Sequence, residues 1–96
     1  MIGNNLKLLR KQFSKSQDEV SKALGLNRST YSGYENAVAQ PSLDIITNIC
    51  DYYNITSDVL LRNDFSSYTE KQWKEIQGAW KQIAKGAGLR ILTSQV

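Results

Sequence analysis

The sequence predicts an all-α chain: a series of short helices, with an amphipathic helix added at the C-terminal end. Three observations carry this. Apolar residues recur at steps of three and four. Cap-forming residues precede each apolar stretch from the second onward: Ser16, Asn27, Ser42, Thr56 or Ser57, and Thr69. Gly25, Pro41, Gly86 and Gly88 stand where stretches stop.

Residues 4 to 13 form the first helix, with Leu6, Leu9 and Phe13 on one stripe and Lys7, Arg10 and Lys11 on other faces. Ser14 and Lys15 join it to the second. Ser16 caps that second helix, and Glu19 completes a capping box. Val20, Ala23 and Leu24 share its inner face, and Gly25 supplies the positive φ at its end. Leu26 fills the angle between helices. Asn27 caps the third helix, whose inward positions are Tyr31 and Tyr34. Its outer residues, Arg28, Ser29, Thr30, Ser32 and Gly33, are small, polar and singly charged. Such a face suits a helix that lies close against another surface.

A loop at Ala37 to Gln40 leads to Pro41. Ser42 then caps a fourth helix with Leu43, Ile45, Ile46, Ile49, Cys50 and Tyr53 inward. Asn54 and Ile55 turn the chain into a short fifth helix holding Val59, Leu60 and Leu61. Asn63 to Tyr68 is polar and reads as a linker. Thr69 and Gln72 form a second capping box, opening a helix to about Lys85. Its apolar face is Trp73, Ile76, Trp80, Ile83, Ala84 and Ala87, and Gly78 weakens it by roughly 1 kcal/mol relative to alanine. Leu89 to Val96 reads as a short strand or a loose tail. The organisation is a domain over 1–64, with its central motif at 16–36, and an appendage over 65–96.

Composition narrows the function. The chain has one cysteine and no histidine, which removes an internal disulfide, the commonest general base and the commonest transition-metal ligand. Cys50 reads as a small core residue. No nucleophile–base pair, metal cluster or phosphate-cradling loop stands out. The expectation is a non-enzyme without metal or cofactor. With no secretory signal and no apolar run near a membrane span, it is expected in the cytoplasm, away from membranes. Charge is segmented: net +3 over 1–36, −3 over 37–64 and +3 over 65–96. A polyanion would prefer the first and last segments; solvated helix faces are the plainer reading.

From Gln17 through Ser21, Gly25, Tyr31 and the ending Tyr34-Glu35-Asn36, the chain resembles the helix-turn-helix of the phage repressor and Cro family, also called the XRE family. The resemblance continues through Pro41-Ser42-Leu43 to Leu60-Leu61, about two thirds of the chain. It implies a five-helix, lambda-repressor-like fold whose helix 28–36 enters the major groove of double-stranded DNA, N-terminal end first. Arg28 is then the leading base reader, since a guanidinium can bond O6 and N7 of guanine together for about 1–3 kcal/mol of discrimination. Ser29, Ser32 and Thr30 are further candidates. Family members can carry a base-reading side chain where this chain has Gly33, which suggests close backbone contact or reliance on DNA shape. Gln17, Asn27, Asn36 and Lys11 are the phosphate candidates, with Lys15 as an outer contact. Arg10 and Glu35 match a pair that is structural in the family. Ala37 departs from the family's glycine: either Asn36 takes the left-handed conformation in its place or the helix ends differently.

The function implied is a sequence-specific DNA-binding transcription regulator, a homodimeric repressor reading two half-sites about 34 Å apart. Trp73, Ile76, Trp80 and Ile83 are the expected dimer interface, because tryptophan is enriched in such interfaces. The other reading folds them back onto the same subunit's core. Lys71, Lys74, Lys81 and Lys85 offer a basic face for flanking phosphates. An alternative function is a protein-interaction module, such as the antitoxin of a toxin–antitoxin pair, using the Trp73/Trp80 helix on its partner.

Overall fold

The computed structural model describes residues 1–85, with side chains through Gly78. Six helices follow one another: α1 (Ile2–Gln12), α2 (Gln17–Ala23), α3 (Arg28–Glu35), α4 (Leu43–Tyr53), α5 (Ser57–Arg62) and α6 (Glu70–Lys85). A 3-10 turn, Phe65–Ser67, lies between the last two. No strand occurs among the described residues. The tail expected over 89–96 lies outside them, as do the side chains of Lys81, Lys85, Trp80 and Ile83. No helix among the described residues is long and apolar enough to cross a membrane.

Helix starts follow the expected chemistry. Ser16 Oγ accepts from the Glu19 amide at 3.0 Å while Glu19 Oε1 accepts from the Ser16 amide at 3.0 Å, a closed capping box. Asn27, Ser42 and Thr56 each accept from the amide three residues on. Thr69 and Gln72 close the second box, through amide bonds of 2.8 and 3.3 Å. Only α1 departs, starting two residues earlier than its apolar stripe suggests and without a side-chain cap.

Helix ends follow a single pattern. After each of α1 to α4, one left-handed residue turns the chain: Ser14 (φ 54°), Gly25 (φ 71°), Ala37 (φ 60°) and Asn54 (φ 54°). The next amide then reaches back to a carbonyl five residues earlier: Lys15 to Arg10, Leu26 to Ser21, Val38 to Gly33 and Ile55 to Cys50, at 2.8–3.1 Å. These are Schellman closures. The expected substitute Asn36 keeps a φ of −90°, and Ala37 itself takes the strained conformation.

Leu6, Leu9, Val20, Tyr31, Ile49, Tyr53, Leu60 and Phe65 form the centre of the core. Leu43 is 75% exposed and Leu61 39%, against expectation. Leu43 is the first residue of α4, and its side chain leans back past the helix start rather than into the bundle.

Residues 63 to 68, expected as a linker, pack against α1. Asn5, fully buried in α1, donates Nδ2 to the carbonyls of Leu60 (2.9 Å) and Asn63 (2.6 Å) and accepts from the Phe65 amide (2.9 Å). That fixes the 3-10 turn against α1 and buries Phe65. Trp73 packs edge-on to Phe65, with centroids 5.2 Å apart, and against Tyr68 at 5.4 Å. Trp73 is left 7% exposed and Ile76 half-buried against the same core. Gln77 bonds the carbonyl of Gln12. Trp73 is therefore packed in the core of its own chain, covered by an aromatic cluster built on Phe65. The core runs past residue 64, and the first half of α6 is part of the domain.

Candidate nucleic-acid interface

The inner side of α3 is held at three points. The first is a close approach of backbones. A Cβ added to Gly3 of α1 would lie 2.7 Å from the Tyr34 carbonyl oxygen and 2.8 Å from that of Glu35. Only glycine lets α1 touch the last turn of α3 so closely.

The second point is the expected Arg10–Glu35 pair. Arg10 Nε donates to Glu35 Oε2 at 2.7 Å and Nη2 donates to Oε1 at 3.1 Å, a two-pronged bond. The third prong of the guanidinium, Nη1, donates to the Lys15 carbonyl at 3.0 Å. The pair is largely closed off, with side-chain exposures of 13% and 1%. Burial pushes the Glu35 pKa up, but donors on Arg10 and Gln17 and the nearby Tyr31 hydroxyl outweigh it, so the carboxyl titrates below its ordinary range. The Tyr31 hydroxyl biases that carboxylate without meeting hydrogen-bond geometry. The Arg10 guanidinium is held charged more firmly still, chiefly by its bond to Glu35.

The third point is Gln17, the first residue of α2. Its Nε2 donates to Glu35 Oε1 at 3.1 Å. The side chain expected on a phosphate is thus turned inward and half-buried, and joins α2 to the ion pair. One carboxylate, Glu35, gathers α1, α2 and α3.

The outer side of α3 is open. Arg28, Ser29 and Thr30 are exposed, and Ser32 is half-buried. Asn27 Oδ1 accepts from the Thr30 amide at 2.8 Å and from Ser29 Oγ at 2.9 Å. Its amide donors take no part in the cap. At the other end Asn36 Nδ2 donates to Ser32 Oγ at 3.3 Å. Lys11 is exposed on α1. Arg28, Ser29 and Thr30 are therefore uncovered, with Asn27 and Asn36 at the two ends of the helix.

Two residues of this region are not singled out by sequence reasoning. One is Gly3, which precedes the first apolar stripe and so falls outside the helix read from the sequence. The other is Val38. It follows the left-handed Ala37, is 81% exposed, and meets the outer face at Gly33, where an added Cβ would lie 4.0 Å from Val38 Cβ. No group of three or more His, Cys, Asp or Glu side chains suited to a metal occurs among the described residues.

The helix-turn-helix family model matches residues 6–60, more than half of the chain and all of α2 and α3. Among curated proteins, the HTH-type transcriptional regulator AnsR of Bacillus subtilis is 32% identical over 75 residues, covering 78% of this chain and 64% of its own. The antitoxin PezA of Streptococcus pneumoniae is 38% identical over 56 residues, 58% of this chain and 35% of that one. The transcriptional repressor RstR of the cryptic phage CTXphi of Vibrio cholerae is 23% identical over 77 residues, 80% of this chain and 69% of its own. The chain thus spans about a third to two thirds of the length of these relatives. No solved structure gives a significant match. With the motif, the buried Arg10–Glu35 pair and the family model in one register, the chain belongs to the helix-turn-helix family of phage repressors and Cro proteins, the XRE family.

Proposed function

We propose that the protein is a sequence-specific DNA-binding regulator of transcription, acting as a homodimeric repressor. The observation that carries this is the asymmetry of α3: its inner side is tied to two helices, while its outer side is small, polar and uncovered. A helix so presented fits a major groove. Arg28 reads guanine, while Ser29, Thr30 and Ser32 allow close approach. Asn27, Asn36 and Lys11 donate to phosphates on either side. The names of the relatives AnsR and RstR support regulation and repression.

A gel-shift titration at two salt concentrations tests this, with Arg28→Ala beside the parent. Loss of sequence preference is expected, with residual binding that weakens steeply as salt rises. Identical behaviour of parent and variant would remove Arg28 from the mechanism.

The dimer is assigned to the second half of α6, where Trp80 and Ile83 continue the apolar spacing beyond Trp73. A chain ending after Gly78 keeps the Phe65–Trp73 cluster intact and should sediment as a monomer. If it remains a dimer, the interface lies elsewhere. A second reading, favoured by the similarity to PezA, makes the same half-helix a seat for a protein partner; in that case the full chain is a monomer when pure.

A further inference from the structure

We infer that Val38 is a specificity-determining residue that reads the C5-methyl of a thymine in the bound duplex. The inference rests on the reading of α3 as the DNA-contacting helix.

In a Schellman closure the residue after the left-handed one ordinarily packs on the side chain five positions earlier. Lys15, Leu26, Val38 and Ile55 occupy that place after α1 to α4. For Val38 the residue five earlier is Gly33, which has no side chain to offer. Val38 therefore stands 81% exposed, while Leu26 and Ile55 are packed against the core.

Its backbone is nonetheless fixed. The Val38 and Ala39 amides both donate to the Gly33 carbonyl, at 2.9 and 3.3 Å. The added-Cβ geometry puts the valine stem beside the position where a side chain of residue 33 would begin. On a helix of 3.6 residues per turn, Gly33 falls between Ser29 and Thr30 around the axis, opposite the buried Tyr31 and Glu35. Val38 thus places two methyl groups on the outer face, in the gap that Gly33 leaves bare.

A fixed, uncovered, β-branched side chain beside the DNA-contacting helix is suited to an apolar contact with the duplex. The base edges of the major groove present one apolar group, the thymine methyl. The α3 positions that flank Gly33 around the axis, Ser29 and Thr30, are exposed and polar.

The test uses duplexes recovered by the full chain from a random pool. Each thymine in a recovered duplex is replaced singly by uracil, which removes the methyl and nothing else. At one position per half-site, uracil should weaken the parent about 3- to 10-fold, the scale of a lost methyl contact. Val38→Ala should lose that sensitivity and feel the replacement less than about 2-fold. At 81% exposure the substitution leaves the fold intact, which circular dichroism checks.

The inference is overturned if Val38→Ala responds to every uracil as the parent does. It is equally overturned if Val38→Ala loses affinity uniformly on all duplexes, which marks a sugar–phosphate contact. A change of sedimentation in Val38→Ala with uracil sensitivity unaltered marks a contact between copies, and also overturns it. If the parent recovers no preferred sequence and Arg28→Ala binds as the parent does, the reading of α3 falls and this inference with it. A recovered sequence lost in Arg28→Ala but indifferent to Val38 sinks the inference alone.

Discussion

The two sides of α3 differ in how their positions are secured. The inner side is overdetermined: a backbone contact at Gly3, a buried ion pair to Arg10 and a side-chain bond to Gln17 all converge within its last turn. The outer side carries no such constraint. Its bonds are local, from Ser29 to Asn27 and from Asn36 to Ser32, and involve no other helix. The difference separates two tasks. Placement is set from behind, so the outer residues are free of structural duty and can change without moving the helix. Substitutions behind α3 should therefore cost stability, and substitutions in front should cost recognition.

The sharpest way to break this division is at Glu35. Glu35→Ala leaves the Arg10 charge largely buried without its partner and releases Gln17. The expected loss is about 3–5 kcal/mol in urea unfolding. Removing Arg10 together with Glu35, as in Arg10→Met/Glu35→Leu, should cost less than Glu35→Ala alone, because no uncompensated charge remains. The same residue makes a pH prediction. Its folded pKa is depressed, so the unfolded state binds the proton more readily. The stabilisation is present above the unfolded value, near 4.5, and is lost as pH falls through the folded one. Glu35→Gln should flatten that acid limb of the stability curve. An unchanged limb in Glu35→Gln would place the acid sensitivity in other carboxylates.

Next in size is Gly3→Ala. The new methyl meets backbone oxygens, which cannot rotate away as a side chain can. Either α1 or α3 must shift, for about 1–3 kcal/mol. Ser29→Ala on the opposite face should stay within about 0.5 kcal/mol. Thermal melts of the two variants side by side test the comparison, and equal destabilisation would refute it.

Legibility in the sequence follows the same division, for physical reasons. Tyr31 and Tyr34 are readable on the inner face because helical spacing groups them, and the small polar residues Ser29, Thr30 and Ser32 between them and beside Arg28 are readable as outer by their composition. The Arg10–Glu35 pair is legible through the family resemblance alone, since spacing says nothing of residues on different helices. What stays hidden is close approach between distant segments. Gly3 matters only because Tyr34 and Glu35 arrive beside it. Asn5 looks like a surface residue until the chain returns at Leu60, Asn63 and Phe65 to engage both of its donors and its carbonyl oxygen. Phe65, between Asp64 and Ser66, belongs to no periodic stretch, so the segment reads as a polar linker. With that cluster unseen, Trp73 has no visible partner within its own chain and is drawn toward an interface.

A small stabilising effect is expected at the end of α3, at Ala37. It closes α3 in a left-handed conformation that a Cβ disfavours by about 1–2 kcal/mol. Gly25 performs the same turn after α2 without that penalty. Ala37→Gly should relieve the strain, but glycine also gains freedom in the unfolded chain, which offsets about 0.4–1 kcal/mol. The net expectation is a stabilisation of about 0.5–1 kcal/mol, seen as a raised urea midpoint with an unchanged slope. Because the Val38 amide keeps its bond to the Gly33 carbonyl in either case, the outer face should retain its shape and its sequence preference. A lowered midpoint would mean that the Ala37 methyl makes a contact worth more than the strain, and that the end of α3 is secured from the front as well as from behind.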